Sequence, residues 1–237
     1  MDNQKKSFWK AYSEDHFWRL NDKSQVKEKS DYYDMVYDTL LPQDTSVQIL
    51  DIGCGGGHFL HYLSRKGYTN IQGIDIASGL VDFVRAEICP NVLNADALEY
   101  LSEHPNQFDV LAANDFIEHL PKESIIKFLE LCRKALRPNG MLILKTPNMS
   151  HPLAGRNRYV DFTHETGFTE HSLYQVCAAA GFESINLYGE FHAVAEPRFY
   201  RWIKKLYREV SETSPQVLSA NLLAVCKKGA NTTNELL

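Results

Sequence analysis

The chain has 237 residues, of which 44% are hydrophobic and 23% charged, with 12 Phe, 12 Tyr and 3 Trp to fill a core. This composition excludes disordered, collagenous and coiled-coil chains. The formal charge of −5, from 25 basic and 30 acidic residues, supplies no general attraction for phosphate backbones, so no stable nucleic-acid partner is expected.

In chain order, the N-terminal MDNQKKSFWK lacks an apolar signal region, and no run approaches the roughly 20 apolar residues that span a bilayer. Cys54, Cys89, Cys132, Cys177 and Cys226 are scattered without a C-x-x-C pair. Odd number and wide spacing point to reduced thiols, and a cytoplasmic protein is expected. Residues 1–45 are aromatic-rich and read as a helical cap, with Trp9, Phe17 and Trp18 placed to pack and to shield a site from water. From Val47 onward, short apolar runs alternate with helical patterns, the signature of βαβ units on a parallel sheet. The strands are VQIL before Asp51, IQGI before Asp75, NVL at Asn94, FDVLAA before Asn114 and MLILK after Gly140.

Phe59, Leu60 and Leu63 share one helical face that stops at Gly67. Ile125, Phe128, Leu129, Cys132 and Leu136 mark a longer helix ended by Pro138 and Gly140, and a later helix runs from about Ser172 to Ala180. ESINLYG and SANLLAVCKK form a closing antiparallel pair of strands. One domain over 1–237 is expected, with a cap (1–45), a ligand-binding core (46–150) and an acceptor loop, amphipathic helix and closing strands (151–237).

The first strand runs into Asp51-Ile52-Gly53-Cys54-Gly55-Gly56-Gly57, a loop whose glycines permit close approach of backbone to a ligand. The dinucleotide fingerprint wants glycine where this chain has His58, and a pyrophosphate site gains nothing from Asp51 at its mouth. Asp75 ends the second strand, where a carboxylate can accept both hydroxyls of a ribose, and Asp96 follows the third, within reach of an adenine amino group. Acids closing three successive strands suit a nucleoside that carries an ammonium and no phosphate.

LDIGCGGG, GIDIA, NADALEYL, FDVLAANDFIEHL and LRPNGMLILKTPN together resemble the class I S-adenosylmethionine-dependent methyltransferases. The resemblance implies an α/β Rossmann-like fold: a seven-stranded, mostly parallel sheet with helices on both faces. It implies S-adenosyl-L-methionine as cofactor, with Asp51 and Gly53 near its methionine part. Asp75 would hold the ribose, Asp96 with Ala97 would lie at the adenine edge and Asn114 at the amino acid end, and Gly55 and Ile76 are further cofactor-binding candidates.

Asp115, Glu118 and His119 fall at i, i+3 and i+4 after the fourth strand, which predicts three ligand-type side chains on one face of a helical turn. The loop HPLAGRNRYVDFTHETGFTEHSL then carries Asp161, His164 and His171. Acid, acid and His with a later His resembles methyltransferases that bind magnesium to activate a hydroxyl, among them ubiquinone-pathway O-methyltransferases and enzymes acting on small-RNA 3′ ends. That resemblance implies Asp115, Glu118, His119 and His164 as ligands of Mg2+ or another divalent cation. The residues alone also allow metal-free chemistry, with His119 or His164 as catalytic base.

YVDFTHETGFTEHSLYQVCAAAGF and the HFW at 16–18 resemble methyltransferases of surface-glycan and sugar modification. This implies a small polar acceptor, a carbohydrate or a phosphorylated compound, with Arg156 and Arg158 placed to pair with phosphate. The expected function is therefore O-methylation of a sugar or glycan precursor. A quinone- or lipid-precursor O-methyltransferase and a cofactor-binding module without transfer activity are the alternatives. PRFYRWIKKLYREV, residues 197–210, reads as a basic amphipathic helix that either packs on the core or makes peripheral contact with a membrane.

Overall fold

A computed structural model of the chain describes residues 26–190, 198–210 and 215–230. Trp9, Phe17, Trp18 and most of the expected N-terminal cap lie outside the described residues. The elements run α1 (Val26–Tyr37), β1 (Ile49–Ile52), α2 (His58–Arg65), β2 (Ile71–Asp75), α3 (Ser78–Glu87), β3 (Val92–Asn94), α4 (Ala97–Glu103) and β4 (Phe108–Asn114). A 3-10 turn (Ile117–His119) leads to α5 (Lys122–Ala135), β5 (Leu136–Pro147), α6 (Ala154–Tyr159), α7 (Glu170–Ala179), β6 (Ser184–Gly189), α8 (Arg198–Val210) and β7 (Asn221–Lys227).

The seven strands form one sheet in the order β3-β2-β1-β4-β5-β7-β6. β1 to β5 are parallel, and β7 runs antiparallel to both β5 and β6, as the closing strand pair predicts. The period-2 alternation of a strand splits the core into two layers. Leu50, Ile52, Leu111, Leu142, Leu144 and Leu222 face α4, α5 and α7. Ile49, Val110, Ile143, Leu223 and Val225 face the other way, onto α1, α2 and α3. All five cysteines are buried, and none is paired in a disulfide.

Two boundaries differ from the sequence expectation. The helix predicted to reach Leu136 ends at Ala135, and Leu136 opens β5, which passes through Pro138 and Asn139. Pro138 has no amide to continue the helix and drives Arg137 out of the helical region, so the chain is already extended before the proline. The helix predicted from Ser172 begins at Glu170, because Thr169 and Ser172 form a reciprocal capping box around its first turn. The three crossover helices α2, α3 and α4 return the chain so that β1 to β4 all end at the same edge, where the candidate residues gather.

Candidate active site

The first half of the site is built by backbone. Gly53 and Cys54 amides donate to the Ile74 carbonyl at 2.9 and 3.0 Å, which straps the glycine loop to the end of β2. Gly53 and Gly57 hold φ of 70° and 74°, in the left-handed region. A Cβ on Gly53 would lie 2.5 Å from Phe116 Cδ2, and one on Gly57 would lie 2.7 Å from Val84 Cγ1. Glycine is thus required at both positions by conformation and by space.

Two carboxylates face this loop. Asp75 accepts from the Gly55 amide at 2.9 Å and the Ala77 amide at 2.8 Å. Burial raises its pKa, and those amides oppose the shift. Asp51 is 2% exposed, and burial, with the Asp75 charge adding to it, pushes its carboxyl up to about 8. Two crowded, desolvated acids beside a loop of backbone N–H groups form a place that gains from a cation and from hydroxyl donors. This fits a sulfonium nucleoside with an amino acid tail.

Ile76 follows β2 and is 37% exposed, and buried Ala97 opens α4. Asp96 is the N-cap of that helix, accepting from the Leu98 and Glu99 amides with a single oxygen, Oδ1. Asn114 ends β4 beside Lys145 of β5. Its Oδ1 accepts from the Tyr37 hydroxyl, while its buried Nδ2 has no hydrogen-bond partner.

The second half is built by side chains reaching across the fold. Glu118 is 2% exposed, and its Oε2 accepts from Thr146 Oγ1 at 3.0 Å. Its Oε1 is buried without a hydrogen-bond partner, and burial, with Asp115 adding to it, raises the carboxyl to about 8. The Glu118 carbonyl accepts from the Glu165 and Thr166 amides at 2.8 and 3.0 Å, which fastens the loop from 151 to 168 onto the 3-10 turn. Arg158 donates to the His164 and Glu165 carbonyls, so it clasps this loop internally.

His119 and His164 rings are 4.9 Å apart. Thr163 Oγ1 donates to Asp161 at 2.6 Å and lies 2.7 Å from His119 Nδ1, which makes Nδ1 the protonated nitrogen and gives Nε2 the lone pair. His164 Nδ1 is 3.0 Å from the Asn157 carbonyl, which fixes its tautomer in the same sense. Burial, reinforced by the neighbouring His164, lowers the His119 pKa and favours the neutral imidazole.

Ligand atoms of Glu118, His119 and His164 lie within 4.8 Å of one another. One carboxylate and two oriented imidazoles are an adequate donor set for a divalent ion. Asp115, expected as a fourth ligand, does not join them. Its φ is 50°, so the stretch from Asp115 to His119 is not one helical turn, and its carboxylate pairs with Lys145 at 2.5 Å. His171 is also apart, exposed on α7.

Residues 25–187 match the family described as a methyltransferase domain, more than half of the chain. The chain belongs to this family. Two similar proteins are ubiquinone biosynthesis O-methyltransferases. That of Neisseria meningitidis serogroup A is 32% identical over 109 residues, covering 43% of this chain and 44% of the relative. That of Xylella fastidiosa is 32% identical over 109 residues, covering 44% and 43%. The matched stretch thus spans less than half the length of these curated relatives.

Solved structures share the fold along nearly the whole chain. A SAM-dependent methyltransferase from Archaeoglobus fulgidus superposes with a TM-score of 0.68 at 22% identity, covering 90% of this chain and 98% of that one. A possible histamine N-methyltransferase from Thermotoga maritima gives 0.64 at 17% identity, covering 93% and 99%.

Within this methyltransferase domain, the structure adds contacts that the motifs do not announce. Lys145, 7% exposed at the carboxyl end of β5, carries its ammonium 5.5 Å from the Tyr32 ring centre. Burial alone would lower its pKa, but Asp115 together with Tyr32, Tyr33 and Tyr37 offsets burial and holds it well above the ordinary lysine value. Tyr32 donates to Glu190 at 3.3 Å, which also accepts from Asn221 at 2.6 Å. The only signal in the sequence is a polar Lys-Thr pair ending the apolar run LIL.

Proposed function

We propose that this methyltransferase domain transfers a methyl group from S-adenosylmethionine to a hydroxyl oxygen. The observation that carries this reading is one sheet edge holding both a buried acid pair at a glycine loop and an imidazole oriented by the Asp161–Thr163 pair. S-adenosylmethionine, when bound, supplies an electrophilic methyl carbon. Asp75 receives the ribose hydroxyls, and Asp51, Gly53, Gly55 and Asn114 receive the charged amino acid part. Ile76, Asp96 and Ala97 border the adenine. His119, neutral with its lone pair on Nε2, accepts the acceptor's hydroxyl proton as the oxygen gains the methyl group, and His164 flanks the same position.

The orphaned Glu118 Oε1 favours a second reading in which Glu118, His119 and His164 hold a divalent cation that lowers the acceptor's pKa. Calorimetric titration with Mg2+ and Mn2+ separates the two: saturable binding lost in Glu118→Gln supports the cation, and none leaves His119 as a metal-free base.

For the acceptor, the names of the relatives favour a quinone- or lipid-precursor hydroxyl over the carbohydrate that the loop resemblance implies. Incubating the protein with labelled S-adenosylmethionine and a fractionated cell lysate tests this. Label in the lipid-extractable fraction is the expected result. Label confined to water-soluble sugars would return the acceptor to the glycan class. Donor binding with no label in any fraction would make the chain a binding module without transfer activity.

A further inference from the structure

The helix α8 lies beyond the residues matched to the family and presents an unusual face. Ile203 is its buried anchor at 8% exposure, and Tyr200 reaches the Nε2 of His151 at 3.5 Å. Phe199, Trp202 and Leu206 turn outward with 61%, 60% and 44% of their surface exposed. At about 100° per residue these three fall within an arc of about 60°, and Arg198, Arg201 and Lys205 lie along one side of that arc. The Phe199 and Trp202 rings stack at 6.1 Å between centres, so the outward aromatics form a surface of their own rather than part of the core.

Charge singles out the same element. α8 holds five basic residues and one acidic residue in a chain whose formal charge is −5. An aromatic stripe bordered by Arg and Lys, on a protein that is acidic overall, suits a surface that is apolar a few ångströms down and anionic on top. A neighbouring segment extends it. The loop from 151 to 164 exposes Leu153 (63%), Tyr159 (81%), Val160 (65%) and Phe162 (90%), and it meets α8 through His151 and Tyr200. Phe162 directly precedes Thr163 and His164 of the candidate site.

We infer that α8, with the tip of the 151–164 loop, seats this protein on the surface of an anionic phospholipid bilayer, with the entrance to the acceptor side turned toward the lipid. Trp202 and Phe199 enter the headgroup region while Arg198, Arg201 and Lys205 contact lipid phosphates. The protein does not cross the bilayer by this contact: among the described residues no helix is long and apolar enough to do so. The inference stands apart from the identity of the acceptor.

The test is flotation of the full chain with vesicles of mixed phosphatidylglycerol and phosphatidylcholine, against pure phosphatidylcholine, with neither donor nor acceptor present. Wild type is expected to float with the anionic vesicles and to stay down with the neutral ones. Arg201→Glu with Lys205→Glu should weaken partitioning by at least about fivefold per charge removed. Phe199→Ser with Trp202→Ser should abolish the vesicle-induced blue shift of tryptophan emission. Unchanged S-adenosylmethionine affinity in both variants shows that the domain is still folded. Absence of flotation by wild type, equal flotation with neutral vesicles, or full flotation by both variants overturns the inference. So does a dimer in light scattering that Trp202→Ser dissociates while flotation persists, because the stripe would then be a self-association face.

Discussion

The donor edge and the acceptor side that we propose for this molecule are neighbours made by different means. At the donor edge, Gly53, Gly55, Asp75 and Ala77 are held by amides and carbonyls of the loops after β1 and β2, and Asp51 sits in the strand itself. On the acceptor side, Glu118, His119 and His164 are held by Thr146, Thr163, Asp161 and Asn157, which arrive from a strand and a long loop. Backbone-made geometry tolerates many side chains around it, whereas side-chain-made geometry changes whenever one partner changes. The donor edge should therefore respond to substitution mainly in affinity, and the acceptor side mainly in rate.

The largest effect is expected on the acceptor side. His119→Ala should lower the rate of methyl transfer by about 10²–10⁴-fold while leaving the donor's Kd within a factor of two or so. Single-turnover assays with saturating donor, alongside calorimetry, measure the two quantities separately. Equal losses in rate and donor affinity would erase the distinction between the two halves.

Next comes Asp75→Ala at the donor edge. It removes a charged acceptor for hydroxyls and the bonds to the Gly55 and Ala77 amides. Hydrogen bonds to charged groups contribute about 1.5–3 kcal/mol, so donor affinity should fall by about 10- to 100-fold. Transfer at saturating donor should change much less, and calorimetry with the donor alone is the check.

The contrast also explains what could be read in advance. Asp51, Gly53, Asp75 and Asp96 announce themselves because each sits at a strand end defined by local hydrophobic runs, and local pattern places them at one edge. Asp115 misled for a local reason too: spacing of i, i+3 and i+4 signals one face only if the backbone is helical, and its left-handed φ breaks the turn. Lys145, Thr163 and Glu190 gave little warning, because what matters about them is contact with residues distant in sequence. In α8 the apolar spacing was visible, but it does not say that Ile203 faces the core while Phe199 and Leu206 face solvent.

A pH series sharpens the donor half. Asp51 is raised to about 8 in the folded chain, above the ordinary carboxylate value of about 4. Between these values the native state keeps a proton that the unfolded chain has released, so stability without donor should decline as pH rises through this window. A cationic donor favours the ionised acid, so its affinity should rise with pH up to about 8 by as much as about tenfold per unit. Calorimetry at about pH 6, 7 and 8 measures the slope, and Asp51→Asn should flatten it. A slope that survives in that variant would assign the titration to another group.

The smallest effect tests whether the acceptor side depends on orientation rather than on contact with the reacting atoms. Thr163 stands between Asp161 and His119, so Thr163→Val removes the hydroxyl that selects the His119 tautomer and leaves the imidazole in place. Loss of one such bond contributes about 0.5–1.5 kcal/mol, which predicts a rate about 2- to 10-fold lower. Thr163→Ser, which keeps the hydroxyl, should restore most of the rate, and the histidine nitrogen shifts in NMR should show mixed tautomers only in the valine variant. A loss of several hundredfold in Thr163→Val would instead mean that the loop itself has left the 3-10 turn. Comparing protection of the Glu165 and Thr166 amides from exchange in the two variants separates a mis-set tautomer from a detached loop, since both amides donate to the Glu118 carbonyl only while the loop is seated.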